Sequence, residues 1–441
     1  MGYAASTKEL FLTASVAFLA LLAVAVVASL IYCLWLLAVA VIAKRARSRR
    51  PVAPETTPGT RYCILIPAHN EELMIGATLG HLTQLDYPAD LRRIVVIADN
   101  CTDKTVEIAT GCDGVTVLER HDIENAGKPS ALNWAIKKLL AEATPVFDAV
   151  VIVDADTVVD KQFLSAMDRV FNTANTPFFA AQGWYKVLNP SENWRTALMA
   201  GALGLVHYVR PLAREYMGLS TGLKGNGMCF SRSVVEKLTW RPDSLTEDIE
   251  LGLDLIEQCR SRVRFVPDAV VRAQMPTTDS ASISQRRRWE RGRYEIVTRR
   301  ALPMLGRGIM RGDRVAIDAA ADMITPPVAE QAALLVATGA LIADVWLLGI
   351  REWWMPIVWL CAVAGFATYI IAGFRLSAAP PEAYRALFAS PFYVAWKLVT
   401  VFKGWKPKSD KFVWVRTERA PLQSQRVGDD DHNPDSAEVS K

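Results

Sequence analysis

The chain has 441 residues, of which 51% are hydrophobic, and a formal net charge of only +4. This length allows two or three domains, and the hydrophobic share is high for a soluble protein. So small a net charge argues against a nucleic-acid partner, and the basic stretches flank apolar segments, so anionic lipid is their simpler partner.

The first predicted element is a long apolar helix near the N-terminus. From Leu10 to Ala43 there is no charged residue, glycine or proline, and the run is longer than a bilayer crossing requires. Basic residues follow it between Lys44 and Arg50, whereas a secretory signal peptide carries its positive charge ahead of the apolar region. The positive-inside tendency therefore predicts that the region after residue 50 is cytoplasmic.

Between Tyr62 and about Leu305, short apolar runs alternate with helix-like stretches. Four runs rich in Val and Ile are predicted to be buried strands, at residues 62–67, 93–98, 115–118 and 149–153. Apolar strands separated by helices indicate a mostly parallel sheet covered on both faces, with ligands bound beyond the carboxyl ends of its strands. No G-x-G-x-x-G follows the first strand, which disfavours an NAD-dependent oxidoreductase.

One candidate residue ends the second of these strands, and another lies in a turn that precedes a later helix. Asp99 ends the second strand, where its carboxylate could accept a hydrogen bond from a nucleotide; capping of the next helix is the alternative. Lys128 lies in a Gly-Lys turn, where it could reach a diphosphate as a point charge. The turn is not a P-loop, because the upstream glycine of that motif is absent.

Asp154 and Asp156 directly follow the fourth strand. Two carboxylates at this spacing suit Mg²⁺ or Mn²⁺, with substrate phosphates completing the coordination. A solvated acidic turn is the alternative, but the position at the end of a buried strand favours a metal. Neither the five histidines nor the seven cysteines have zinc-site spacing, and the cysteines are expected to be reduced, structural thiols.

Thr246, Glu247 and Asp248 precede an amphipathic stretch at residues 249–258. Acidic residues are favoured in the first turn of a helix, so one of the two is expected to cap this helix. The other is a candidate general base that would activate a hydroxyl group.

A hydrophilic stretch further on contains the string Gln285-Arg286-Arg287-Arg288-Trp289. On a helix, Gln285, Arg288 and Trp289 share one face. The guanidinium suits phosphate oxygens, and the indole suits the apolar face of a sugar ring. The alternative is a basic amphipathic helix that lies on lipid.

Two more spans are predicted at 327–350 and 353–374, forming a hairpin that returns the chain to the cytoplasm. The segment 386–402 is apolar but interrupted, and basic residues follow it, so it is predicted to lie on the cytosolic interface. The acidic tail from Gln423 is expected to be disordered.

Taken in order, seven segments resemble family-two glycosyltransferases of the GT-A fold, most closely the membrane-integrated bacterial branch related to cellulose, chitin and hyaluronan synthases. The ordered series of an aspartate, DxD, TED and QxxRW is the specific part of the resemblance, which runs from about Tyr62 to Arg293. The segments are ILIPAHNEE (64–72), ADNCTDKT (98–105), GKPSALNWA (127–135), VDAD (153–156), GNGMCFSR (225–232), LTEDIELGLDL (245–255) and QRRRWERGR (285–293).

The resemblance implies roles for the matching residues. Asp248 would be the catalytic base, Glu247 and Trp289 would contact the acceptor, and Asp154 and Asp156 would bind Mg²⁺ or Mn²⁺. The implied donor-binding residues are Pro67, Ala68, Glu71, Asp99, Lys128, Asp154, Asp156, Gln285 and Arg288.

The implied reaction is inverting, metal-dependent transfer of a sugar from a nucleotide sugar, expected to be UDP-linked. The expected acceptor is a glycan at the cytosolic face of the bacterial cytoplasmic membrane, in exopolysaccharide synthesis. Three spans are fewer than a polymer-threading synthase usually has, so transfer of one sugar to a lipid is an alternative. A non-catalytic membrane subunit of a polysaccharide secretion system is an alternative of another class. A nucleotidyltransferase is disfavoured, since it would need neither Trp289 nor three spans.

The expected fold is an α/β GT-A domain with a mostly parallel sheet, flanked by transmembrane α-helices. Residues 1–50 are predicted to be an anchor with a basic stop, 51–305 the cytosolic catalytic domain, 306–422 interfacial helices and a transmembrane hairpin, and 423–441 a disordered tail. Besides the donor and acceptor, the expected partners are membrane lipids and either a second copy of the chain or other polysaccharide export subunits.

Overall fold

The structure is a computed structural model that describes residues 2–49, 57–143, 147–174, 176–244, 246–277 and 290–394. The string 285–289, residues 395–402 of the predicted interfacial segment and the predicted tail 423–441 lie outside these ranges.

An eight-stranded sheet forms the centre of the α/β region. In space the strands follow the order β3-β2-β1-β4-β7-β6-β8-β5. β1 is parallel to β2 and β4, and β2 is parallel to β3, whereas β7 is antiparallel to β4 and β6. The predicted mostly parallel α/β sheet is therefore confirmed. The strands are β1 (Tyr62–Ala68), β2 (Arg92–Asp99), β3 (Val115–Arg120), β4 (Ala149–Ile152), β5 (Thr157–Val159), β6 (Ala180–Val187), β7 (Met228–Ser231) and β8 (Val263–Ala273).

Helices cover both faces of this sheet and extend beyond it. They are α1 (Gly2–Ser48), α2 (Ile75–Thr83), α3 (Thr105–Thr110), α4 (Lys128–Leu140), α5 (Phe163–Phe171), α6 (Trp194–Gly204), α7 (Arg210–Tyr216), α8 (Arg232–Lys237), α9 (Glu247–Cys259), α10 (Leu302–Arg311), α11 (Arg314–Ile324), α12 (Val328–Leu347), α13 (Trp354–Leu376) and α14 (Pro381–Ala386).

Burial on both faces explains why the central strands are so apolar. In β1, Ile64 and Ile66 pack into a core with α2 and α5, whereas Cys63 and Leu65 pack into a second core with α4 and α9. Successive side chains of a strand point to opposite faces, so a strand covered on both faces needs apolar residues at nearly every position.

Among the described residues, three helical segments are long and apolar enough to cross a membrane: Val16–Ser48, Val328–Leu347 and Trp354–Leu376. The prediction of three such helices is confirmed. Small residues let them approach closely. A methyl group at Gly339 on α12 would lie 2.8 Å from the ring of Trp359 on α13, and one at Gly365 on α13 would lie 3.2 Å from Leu30 on α1.

The segment from α6 to α7 joins the α/β region to these helices. It is interrupted by a π-helical turn, Leu205–Val209. Gly201 of α6 lies against the ring of Phe374 on α13, and Gly373 of α13 lies against Leu205. Two of the membrane-length helices, α1 and α13, therefore pack directly on this segment.

Four buried charged side chains reinforce the junction: Arg210 and Arg214 of α7, and Asp318 and Asp322 of α11. In this four-charge cluster, Arg214 lies 2.6 Å from Asp318 and 2.8 Å from Asp322, and Arg210 lies 3.4 Å from Asp322. Two guanidinium groups and two carboxylates balance, which a buried cluster requires because unpaired charge is costly away from water.

Tyrosines from two membrane-length helices complete the cluster. The Tyr32 hydroxyl of α1 donates to Asp318 at 2.9 Å, and Arg210 donates to the Tyr369 hydroxyl of α13 at 3.2 Å. The cluster thus fixes α7 and α11 relative to α1 and α13.

Candidate functional site

The carboxyl ends of β1, β2 and β4 meet at one edge of the sheet, because these strands are parallel neighbours. Ala68, at the end of β1, pairs in register with Ala98, which directly precedes Asp99. Asp154 lies two residues beyond the end of β4. The residues predicted to bind a ligand after these strands therefore lie along this edge.

Asp99 is buried and holds a neighbouring turn. One carboxylate oxygen lies 2.6 Å from Arg120, and the other accepts the backbone N–H of Gly127 at 3.0 Å. At the start of α3, the backbone N–H of Thr105 is bound by Asp103 rather than by Asp99. Asp99 thus fixes the turn that precedes α4, where Gly127 has a φ of +121°.

Lys128 is the first residue of α4, and its ammonium group lies between two acceptors. It is 2.5 Å from a carboxylate oxygen of Asp154 and 2.7 Å from the carbonyl oxygen of Gly225. Burial lowers the pKa of Lys128, but Asp154 and Glu247 outweigh burial, so its pKa is raised overall. Lys128 is therefore charged and neutralises Asp154.

Residues 222–227, here called the glycine loop, contact Lys128 through Gly225 and Asp154 through Asn226. Asn226 is fully buried; its side chain donates to Thr157 at 2.8 Å and accepts the backbone N–H of Asp154 at 3.2 Å. The residues on either side, Gly225 and Gly227, have φ of +82° and +67°, a backbone region that residues other than glycine rarely adopt. Gly225-Asn226-Gly227, which resembles part of a dinucleotide motif, is thus a support for Asp154.

Asp154 and Asp156 were predicted to bind a metal. The Asp154 side chain is 34% exposed, whereas Asp156 is 2% exposed. Within the described ranges, no group of three or more His, Cys, Asp or Glu side chains could hold a metal by itself. Two carboxylates that share a cation with substrate phosphates are nevertheless the common Mg²⁺ arrangement, so this donor set fits an ion held jointly with a diphosphate.

Glu247 and Asp248 form the first turn of α9, which begins after Thr246. Asp248 lies against the glycine loop, since a methyl group at Gly225 would be 3.4 Å from its carboxylate. Burial, followed by the charge of Glu247, raises the pKa of Asp248 to about 7, although Lys128 and Lys224 act in the opposite direction. A carboxylate with a pKa near neutrality suits general-base catalysis.

Three residues near this site were not predicted from the sequence: Tyr185, His207 and Lys224. The rings of Tyr185 and His207 stack with centroids 5.3 Å apart. Burial, with a contribution from the nearby Lys224, lowers the pKa of His207 to about 3, so its imidazole is neutral. The sequence around His207 has no zinc-site spacing, and the π-helical turn that contains His207 has no sequence signature. Lys224, however, directly precedes the segment Gly225-Asn226-Gly227.

Three more predicted donor residues lie at or just after the end of β1. Pro67 and Ala68 end the strand, and the backbone of Glu71 is held by Thr105, whose hydroxyl oxygen accepts its N–H at 2.7 Å. The structure thus brings Lys128, Asp154, Glu247 and Asp248 together around the glycine loop. Asp99 is linked to them through Gly127.

Gln285, Arg288 and Trp289 lie outside the described residues, but the helical residues that follow them are anchored to α9 and α12. Arg300 lies 2.7 Å from Asp254 of α9 and 2.9 Å from Glu257. Arg293 lies 3.2 Å from Glu330 of α12. The segment 290–301 therefore bridges α9 and the start of a membrane-length helix.

Comparison with known proteins identifies a family for this arrangement. The model of a family described as "Glycosyltransferase like family 2" matches residues 58–292. A β-monoglucosyldiacylglycerol synthase from Synechocystis sp. is 29% identical over 245 residues, which cover 54% of this chain and 49% of that protein. A poly-β-1,6-N-acetyl-D-glucosamine synthase from Staphylococcus epidermidis is 27% identical over 248 residues, covering 55% of this chain and 56% of that protein. The chain thus spans about half the length of the curated relatives that it matches.

Among solved structures, a mannosyltransferase from Pyrobaculum calidifontis in complex with GDP-Man and Mn²⁺ is similar to this chain. The TM-score is 0.47 at 22% sequence identity, and the similarity covers 82% of this chain and 99% of that one.

Proposed function

The chain belongs to glycosyltransferase-like family 2, as its ordered motifs predicted, and on this premise we propose that it transfers a sugar from a nucleotide sugar to an acceptor at the cytosolic face of a membrane. The donor is expected to be UDP-linked, and the transfer to be metal-dependent and inverting. The GT-A fold predicted for the catalytic region agrees with the family and with the observed sheet.

One observation carries this proposal. Lys128 pairs with Asp154 at the ligand edge of the sheet and contacts the carbonyl of Gly225, and Asp248, at the start of α9, lies against the same glycine. Lys128, which suits a diphosphate, and Asp154, which suits a metal, therefore lie close to Asp248, which suits a hydroxyl group. The presence of all three argues against a non-catalytic subunit.

On the donor side, Asp154 and Asp156 would hold Mg²⁺ or Mn²⁺ together with the diphosphate. When bound, the ion supplies positive charge that offsets the charge developing on the leaving nucleotide. Lys128, which pairs with Asp154, is proposed to contact a diphosphate oxygen. Pro67, Ala68, Glu71 and Asp99 are proposed to hold the nucleotide, with Gln285 and Arg288 bordering the diphosphate.

On the acceptor side, Asp248 would accept the proton of the acceptor hydroxyl as that oxygen attacks the anomeric carbon. The new glycosidic bond forms while the bond between the anomeric carbon and the diphosphate oxygen breaks. The nucleoside diphosphate leaves with the bonding electrons, and the anomeric configuration inverts. Glu247 and Trp289 are proposed to contact the acceptor.

We propose that the protein is a multi-pass protein of the bacterial cytoplasmic membrane with a cytosolic catalytic region. Among the described residues, three helices have membrane length; α1 and α13 pack on this region through α6, α7 and the four-charge cluster, and basic residues follow α1. The proposed product is an exopolysaccharide-type glycan. One sugar on a lipid acceptor is the second candidate, because the three spans found among the described residues are few for a chain that threads a polymer.

The test is nucleotide release by the purified protein in lipid nanodiscs, measured for a panel of UDP- and GDP-sugars with Mg²⁺, Mn²⁺ or a chelator. We expect a UDP-sugar to be consumed only with a divalent cation, and the labelled product to be a ladder of oligomers. A single-sugar glycolipid would establish the lipid acceptor instead. No turnover with any donor, in protein that still binds UDP, would contradict the proposed activity.

A further inference from the structure

Arg120 ends β3 and is buried at the ligand edge of the sheet. It pairs in register with Asp99, the last residue of β2, and both side chains are 6% exposed. Nη1 of Arg120 donates to Asp99 at 2.6 Å, whereas Nη2 donates to Asp122 at 2.7 Å and to the carbonyl of Asn125 at 3.0 Å. Arg120 therefore holds Asp99 from a position that its contacts with the loop 121–127 fix.

Two further donors hold the same carboxylate. The side-chain nitrogen of Asn100 donates to the oxygen that Arg120 binds, at 3.1 Å, and the backbone N–H of Gly127 donates to the other oxygen at 3.0 Å. The Asn100 amide is itself oriented, because its oxygen accepts the N–H of Asp122 at 2.8 Å. The orientation of the Asp99 carboxylate is thus set from both sides.

These donors leave little of the carboxylate for a ligand. An ionised carboxylate has about four acceptor positions, divided between its two oxygens. Arg120 and Asn100 fill both positions on one oxygen, and Gly127 fills one on the other. One acceptor position of Asp99 therefore remains that no described residue fills.

A single acceptor position limits which nucleobase Asp99 can bind. Uracil presents one ring N–H between two carbonyl groups. Guanine presents a ring N–H and an amino group side by side, and a carboxylate binds this pair by offering one position on each oxygen. Because one oxygen of Asp99 is fully occupied, a hydrogen bond from uracil is possible and the paired arrangement with guanine is not.

We propose that Arg120 is a positioning residue that sets the base selectivity of the donor site. By filling one oxygen of Asp99 together with Asn100, it makes the site accept uracil and reject guanine. This role rests on the proposed function, which assigns Asp99 to the nucleotide. Arg120 acts through Asp99 and does not itself touch the donor.

The first test is nucleotide binding without turnover. Calorimetry with the full chain in lipid nanodiscs measures the affinities for UDP and GDP, with Mg²⁺, in the wild type, Arg120→Met and the control Arg93→Met. Arg93 also pairs with a carboxylate, that of Glu142 at 2.9 Å, but it lies at the start of β2, whereas Asp99 ends that strand.

The wild type is expected to bind UDP at least about tenfold more tightly than GDP, the size of one hydrogen bond to a charged group. In Arg120→Met the UDP affinity should fall about tenfold while the GDP affinity does not fall, and Arg93→Met should match the wild type. If Arg120 only supported the fold, both affinities would fall together and their ratio would stay that of the wild type. That result overturns the proposal, as does a wild type that binds the two nucleotides equally.

Asn100→Gly is a second, milder variant, and it decides the matter if Arg120→Met does not fold. It removes the other donor to the same oxygen, and the φ of +53° at Asn100 suits glycine. The preference for UDP should fall here too, and an unchanged preference contradicts the proposal. If the variants lose the preference but the wild type turns over no donor, the proposed function fails while the base selectivity stands. If a UDP-sugar is turned over and the ratio is unchanged in both variants, the proposed function stands and the role of Arg120 fails.

Discussion

Lys128, at the start of α4, and Asp154, just after β4, form an ion pair with 2.5 Å between ammonium nitrogen and carboxylate oxygen. The carboxylate predicted to bind a metal is therefore neutralised by a lysine. A cation that enters without the donor must compete with this ammonium group. A nucleotide sugar that arrives with its cation offers Lys128 a phosphate oxygen in exchange, so the ion pair favours joint binding of metal and donor.

Lys128→Gln should separate metal binding from transfer. Freed from the ammonium group, Asp154 should bind Mn²⁺ alone several-fold more tightly, as measured by the paramagnetic resonance of the free ion. Transfer should fall steeply, because the diphosphate loses a charged contact. Lys137→Gln, an exposed position on the same helix, should change neither quantity. Weaker Mn²⁺ binding in Lys128→Gln would refute the competition.

Asp248→Asn tests the proposed base. A positioned general base typically contributes 10²–10⁴-fold, so we expect a loss of about this size in kcat. UDP affinity, measured by calorimetry, should stay close to that of the wild type, because the substitution leaves the donor side intact. Asp243→Asn, an exposed neighbour in sequence, is the control. If transfer survives in Asp248→Asn, another group accepts the proton.

The pH dependence of transfer follows from the same carboxylate. Because burial and Glu247 raise the pKa of Asp248 to about 7, the ionised, active form dominates only above neutral pH. Activity should therefore rise through pH 7 and fall about tenfold per unit well below it. In Glu247→Gln the repulsion is removed, so the acidic limb should move to lower pH; a shift to higher pH would contradict this electrostatic account.

Gly227→Ala should destabilise the glycine loop. Its φ of +67° is unfavourable for alanine, and the new methyl group would lie 2.8 Å from the Val271 side chain. We expect a loss of at least about 1–2 kcal/mol, seen as a lower melting temperature, together with reduced transfer, because the loop supports Asp154. Gly306→Ala on α10 is the matched control: its methyl group meets no atom within 4 Å, so it should leave stability unchanged or slightly raised.

Asp322→Asn should weaken the junction between the catalytic region and the membrane-length helices. Breaking a buried ion pair by removing one partner costs about 3–5 kcal/mol. Burial acts to raise the pKa of Asp322, but Arg214 and Arg210 prevail and lower it to about 2. The stabilisation is therefore present above the unfolded pKa of about 4 and is lost as pH falls toward 2.

The comparison variant is Asp268→Asn, which removes the exposed partner of Arg47 and should cost no more than about 1 kcal/mol. Thermal unfolding of both variants in detergent across pH measures the difference. Equal melting temperatures would mean that the four-charge cluster contributes little to stability.

The fold class was predictable because a strand that is buried on both faces needs apolar residues at nearly every position. The Val- and Ile-rich runs of β1, β2 and β4 identify a covered parallel sheet, and the long uncharged run of α1 identifies a helix of membrane length. Strands β5 to β8 were not predicted individually; in β6, for example, Gly183 and Lys186 interrupt the apolar pattern.

The partners of the site residues were not predictable in the same way. Nothing near Asp99 in sequence indicates that its carboxylate binds Arg120 and the N–H of Gly127. Likewise, Arg210 and Asp322 resemble exposed charges of amphipathic helices until the fold brings them together. The roles assigned to all of the site residues, and the domain boundaries, remain predictions.

The four-charge cluster also bears on how the protein could be divided. Its two arginines precede residue 305, the predicted end of the catalytic domain, and its two carboxylates follow it. A truncated chain that ends there would have to bury two guanidinium groups without an anion or expose the face that α11 and α1 normally cover. Any soluble fragment for crystallisation should therefore extend through Ile324, or replace both arginines with neutral residues.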